Sequence, residues 1–77
     1  MNILVTGGCG FIGMNLLSIL LADHTVNHVV NIDKLTYAAN MEGTRINSHT
    51  YHFIQADINN MDIIKYILQQ YRITDII

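Results

Sequence analysis

One stretch governs what this chain can fold into: Val5-Thr6-Gly7-Gly8-Cys9-Gly10-Phe11-Ile12-Gly13. Ile3, Leu4 and Val5 precede it as a short apolar run that reads as a buried strand, and Phe11 to Ala22 follow it with apolar residues at helical spacing. The glycines therefore sit where a strand turns into a helix. At such a turn the first N–H groups of the helix have no partner within it, and together with the helix dipole they form a site for phosphate. Glycine suits the turn because a side chain would resist positive φ and hold a pyrophosphate away from the backbone. The spacing fits Gly8-x-Gly10-x-x-Gly13 and equally Gly7-x-x-Gly10-x-x-Gly13, and by either reading it is a dinucleotide-binding fingerprint.

Two other phosphate loops fail on the residues that follow. A Walker loop places Lys and then Ser or Thr after its last glycine, where this chain has Met14 and Asn15. A kinase glycine loop continues as a strand with Val two residues on, whereas here Asn15 lies in a helical pattern. A second apolar run, Val29-Val30-Asn31-Ile32, ends in Asp33, twenty residues beyond Gly13. A carboxylate at that strand tip accepts hydrogen bonds from adenosine ribose hydroxyls and repels a 2′-phosphate, which favours NAD over NADP.

Seventy-seven residues make one domain at most, short for a doubly wound fold. Hydrophobic residues are 51% of the chain, as suits strands covered on both faces. Charged residues are only 13% and the net charge is −2, which argues against a nucleic-acid partner and against a polybasic membrane patch. No apolar run approaches the ~20 residues of a membrane span. Met1-Asn2 leads into the first strand without a basic leader region, and one cysteine cannot form an internal disulfide, so the expected setting is a reducing cytoplasm. No repeat, low-complexity tract or proline divides the chain.

Along the chain, Ile12, Leu16, Ile19 and Leu20, widened by Leu17 and Leu21, form the stripe expected to pack on the sheet, with the helix ending near Asp23-His24. Cys9 reads either as a small residue filling a tight loop or as a thiol activated by the helix terminus. Lys34 to Ser48 read as a loop with a short helix around Met41 to Ile46. Because loops at the carboxyl ends of parallel strands face the cofactor crevice, Lys34 to Asn40 are placed to touch adenosine, with a solvated loop as the competing reading. Tyr51 to Gln55 form a third strand. Asp57 beyond it either accepts from the adenine amino group or, with Asn59 and Asn60, caps the next helix. That helix runs from Met61 to Tyr71 with Ile64, Ile67, Leu68 and Tyr71 in phase, and Thr74 to Ile77 begin a fourth strand. His49 and His52 lie at an odd separation on an extended segment, which points them to opposite faces and argues against a metal site. The expected architecture is α/β: an incomplete Rossmann-type parallel sheet of about four strands with two main crossover helices.

The segments Ile3 to Gly13, Asn31 to Asn40 and Ala56-Asp57-Ile58 together resemble the amino-terminal portion of the dTDP-glucose 4,6-dehydratase family, extended short-chain dehydrogenase/reductases that act on nucleotide sugars. The glycine motif is common to the superfamily, whereas Asp33-Lys34-Leu35-Thr36-Tyr37-Ala38 is much narrower. Cys9 stands where the family usually has Ala, and Ala39 where it usually has Gly. The resemblance implies that Phe11 and Ile12 present backbone to the NAD pyrophosphate beside Gly7, Gly10 and Gly13. It further implies that Asp33, Lys34, Leu35 and Thr36 surround the adenosine ribose, and that Asp57 and Ile58 hold adenine.

In such enzymes NAD⁺ takes a hydride from the sugar C4, water leaves across C5 and C6, and the hydride returns to C6. The superfamily supplies the base as Tyr-x-x-x-Lys, but four residues after Tyr37, Tyr51, Tyr66 and Tyr71 come Met41, Gln55, Gln70 and Asp75. The residues in hand are therefore expected to bind NAD, with no catalytic residue among them and no substrate domain. Missing strands are expected to leave one sheet edge and apolar surface uncovered, with a homo-oligomer as one way to cover them. An epimerase or decarboxylase on another nucleotide sugar, or a non-catalytic NAD- or adenosine-binding module, are the alternatives.

Overall fold

In the computed structural model, which describes residues 1–36 and 39–77, strands and helices alternate as the sequence periodicities require. β1 (Asn2–Thr6) leads to α1 (Phe11–Leu21), β2 (His28–Asp33), a 3-10 turn (Met41–Thr44), β3 (Tyr51–Gln55), α2 (Met61–Gln70) and β4 (Asp75–Ile76). All pairings are parallel and the order is β3-β2-β1-β4. Leu4 lies beside Val30 and Ile76, and Asn31 beside Val5 and Phe53. This is the Rossmann-type sheet that the chain was expected to form. Tyr37 and Ala38, within the segment expected to touch adenosine, lie outside the described residues.

The alternation of side chains along each strand divides the core into two layers. Ile3, Val5, Val29 and Tyr51 face Leu17 of α1, with Met14, Leu20, Leu21 and Phe53 packed around them. Leu4, Val30 and Ile32 face Ile67 of α2, with Ile63, Ile64, Leu68 and Tyr71 around them. β1 and β2 are thus buried on both faces, which explains their unbroken apolar runs.

The buried face of α1 differs from the expected stripe. Ile12 and Ile19 are exposed, at 81% and 67%, while Leu17 is fully buried. Apolar residues surround this helix, so period alone does not fix its rotation. Gly13 does: a Cβ there would stand 2.6 Å from the Gly7 carbonyl oxygen and from the Gly8 Cα, so this face must press on the turn. Leu17, one turn on, then lands on the sheet.

The second helix is phased as expected and starts at a cap, since the Asn60 side chain accepts from the Ile63 N–H at 3.2 Å. Asp57 instead closes a turn by accepting from Asn59 N–H. Arg72, at φ 51°, ends α2 in the left-handed conformation, with Ile73 N–H donating back to Leu68. The turn of helix after β2 is shorter than expected, four residues capped by Asn40.

A candidate dinucleotide site at the strand carboxyl ends

The glycine turn brings β1 to the head of α1 with a different reason for each glycine. Gly7 has φ +69°, a conformation that side chains resist. A Cβ on Gly8 would collide with the Asn31 side chain, and one on Gly13 with the turn itself. Gly10 is different. Among the described residues its Cβ would meet nothing closer than the Gly7 oxygen at 3.5 Å, an ordinary contact, and its φ is −75°. No neighbour among the described residues therefore demands glycine at this position, which immediately precedes the first turn of α1. Phe11, Ile12 and Gly13 supply the N–H groups that a helix leaves without internal partners, and the side chain of Phe11 is 86% exposed.

Asp33 ends β2 facing the same crevice. One carboxylate oxygen accepts from Cys9 N–H and the other from Leu35 N–H, both at 2.9 Å. Each oxygen retains a further lone-pair direction for an incoming hydroxyl. The second of these bonds holds Leu35 at φ 60°, a sparsely populated conformation for a branched residue.

A cavity of about 400 Å³ opens here, lined by Thr6, Gly7, Ile32, Asp33, Lys34, Thr36, Ala56, Asp57, Ile58 and Asn59. Among the residues expected to bind cofactor, Gly7, Asp33, Lys34, Thr36, Asp57 and Ile58 line it together. Gly10, Phe11, Ile12 and Gly13 stand at the head of α1 instead, and Leu35 contributes backbone to Asp33 without lining the cavity. Ile58 is 55% exposed at the rim.

The sequence reading missed Asn31, which is fully buried and accepts from Gly8 N–H at 2.9 Å. A polar residue inside an apolar strand run was the available signal, since buried amides are retained where they have partners. Cys9 is buried beneath the turn, and burial pushes its thiol pKa up, a nearby Asp33 charge adding to the effect against the opposing Asn31 hydrogen bond. That is the inert, packing form of the residue. His52 meets His28, with ring nitrogens 3.3 Å apart, and stacks at a tilt on Tyr71. Among the described residues no helix is long and apolar enough to cross a membrane.

Residues 4–77 match the family model described as GDP-mannose 4,6 dehydratase. The chain belongs to that family. The GDP-mannose 4,6 dehydratase family relatives include the dTDP-glucose 4,6-dehydratases of Haemophilus influenzae, 47% identical over 74 residues, and Salmonella typhimurium, 45% identical over 74. Each alignment covers 94% of this chain but only 22% and 20% of the relative. Among solved structures, the Bacillus anthracis dTDP-glucose 4,6-dehydratase in complex with NAD superposes with a TM-score of 0.90 at 33% identity, covering 99% of this chain and 25% of that one. The Streptomyces venezuelae dTDP-glucose 4,6-dehydratase, with NAD and TYD bound, gives 0.86 at 32% identity over the same shares. The chain thus spans about a fifth to a quarter of the length of the relatives it matches.

Proposed function

We propose that residues 1–77 form the amino-terminal, NAD-binding part of a dTDP-glucose 4,6-dehydratase, an NAD-dependent lyase of nucleotide-sugar metabolism working in the cytoplasm, whose substrate domain and catalytic base lie outside these residues. The observation that carries the reading is Gly10: glycine stands where the described residues leave room for a side chain, directly before the N–H groups that α1 leaves without partners inside the helix. A pyrophosphate resting on the backbone accounts for that, and the neighbouring cavity has the size of a small-ligand site. The names of the relatives supply the sugar and the cofactor.

On this reading Gly7, Gly10, Phe11, Ile12 and Gly13 hold the pyrophosphate, Asp33 accepts from the adenosine ribose with Lys34, Leu35 and Thr36 around it, and Asp57 and Ile58 hold adenine. Bound NAD supplies a hydride acceptor for the sugar C4 and the donor that restores a hydride at C6. The chain's own part is to bind and orient, with the Asp33 carboxylate excluding a 2′-phosphate by charge. The family description, GDP-mannose 4,6 dehydratase, favours a second reading in which the sugar nucleotide carries guanine and mannose.

Titration of NAD, NADP and ADP into the chain tests the binding half. NAD is expected to bind and NADP to bind at least tenfold more weakly, by about 1.4 kcal/mol. Asp33→Asn removes the charge while keeping one acceptor oxygen for only one of the two N–H groups, those of Cys9 and Leu35, that the carboxylate serves, and is expected to erase most of that discrimination. A chain that binds neither nucleotide overturns the reading. Supplying dTDP-glucose and GDP-mannose to the polypeptide that extends beyond Ile77 separates the two substrates.

A further inference from the structure

Asn31 is fully buried in the strand beside β1, does not line the cavity, and yet every polar atom of its side chain is used. Its Oδ1 accepts from Gly8 N–H at 2.9 Å, and its Nδ2 donates to the Tyr51 hydroxyl at 3.0 Å and to the Cys9 sulfur at 3.4 Å. Tyr51 continues the chain, its hydroxyl donating to the Gly43 carbonyl at 2.6 Å. The phenol accepts from the amide on one side and donates to a carbonyl on the other, so each proton has one place to go. Burial pushes the Tyr51 pKa up, keeping that donor protonated.

The segment reached in this way touches the glycine turn twice more. Asn40 N–H donates to the Cys9 carbonyl at 2.7 Å, and Gly43 lies bare against Cys9, where a Cβ would stand 2.5 Å from the sulfur. The turn is thus clamped from behind by residues that never face the cavity. Leucine at position 31 would leave Gly8 N–H without an acceptor, and aspartate would leave Tyr51 without a donor.

We propose that Asn31, backed by Tyr51, is a positioning residue that fixes the glycine turn in the shape a dinucleotide needs and couples it to residues 40–44. The consequence for affinity rests on the proposed NAD site, whereas the clamp itself does not. Nucleotide binding then tightens both segments together, and loosening either weakens binding without removing a group that touches the ligand.

The test is Tyr51→Phe, which retains the buried ring and removes only the relay, read by NAD titration and by amide hydrogen exchange at Gly8 in the ligand-free chain. The expected result is roughly tenfold weaker NAD binding and roughly tenfold faster Gly8 exchange, as befits loss of a buried hydrogen-bonded link. Ile67→Val, on the opposite face of the sheet, serves as the comparison: it lowers melting temperature and leaves both readouts where they were. Unchanged Gly8 exchange in Tyr51→Phe overturns the clamp. Faster exchange with unaltered NAD affinity, or equal weakening in Ile67→Val, overturns the positioning role. Should the unaltered chain fail to bind NAD, the proposed function falls and the positioning role with it, while Gly8 exchange still decides whether the clamp exists.

Discussion

At the scale of single residues, the four glycines of the turn separate into those the fold requires and one it does not. Gly13→Ala drives a Cβ into backbone atoms at 2.6 Å, which a side-chain rotation cannot relieve, and a loss of about 1–3 kcal/mol is expected from thermal or urea unfolding. Gly10→Ala meets only an ordinary contact among the described residues, so stability should fall by less than about 1 kcal/mol, the scale of a helix N-cap change. On the proposed site NAD affinity should nevertheless collapse in Gly10→Ala, because the added methyl would stand between the pyrophosphate and the backbone. Equal effects of the two substitutions on unfolding would remove the distinction. Asn31 and Asp33, two positions apart on β2, serve the turn from the same strand. One holds Gly8 from within the core and the other holds Cys9 at the rim.

Among the elements, α1 shows how far a hydrophobic pattern reaches. Its apolar residues announce a helix, but their abundance leaves the rotation open until Gly13 is pressed against the turn. α2 has a polar side, and there the pattern alone places Ile64, Ile67 and Leu68 against the sheet. The β2–β3 pair brings together His28 and His52, which the sequence keeps 24 residues apart. Burial, and secondarily the neighbouring His28, holds the His52 pKa below its ordinary 6.5. The unfolded chain then binds a proton more readily than the folded one, so stability is full above pH 6.5 and declines as pH falls through the folded value. Melting temperature is expected to drop on acidification through that window, and His52→Gln should flatten the drop. An unchanged slope in the variant would assign the acid sensitivity elsewhere.

For the whole molecule, the radius of gyration of 11.4 Å matches the roughly 11.5 Å expected of a compact globule of this length. Its exposed apolar side chains therefore reflect uncovered faces and not loose packing. Phe11, Ile12 and Ile19 project from α1, and Ile76 and Ile77 lie exposed on and beside the outer strand β4. A short, parallel edge strand with exposed apolar neighbours invites pairing, and a core this small leaves little stability in reserve. The chain is expected to associate as its concentration rises through the micromolar range and to bind an apolar dye, while saturating NAD raises its melting temperature by mass action. A sharp cooperative melt of a dilute monomer that binds no dye would contradict this.

The sequence by itself determined the order of strands and helices, the glycine turn, the acid at the tip of β2 and the family resemblance, because each is carried by spacing within a few residues or by a short motif. Only the tertiary structure decided which side of α1 is buried, that Asn60 and not Asp57 caps α2, and that Asn31, Tyr51 and Gly43 meet behind the turn. Those outcomes depend on residues distant in sequence sharing one limited volume. Excluded volume and hydrogen-bond satisfaction between distant segments leave no periodic trace in the chain.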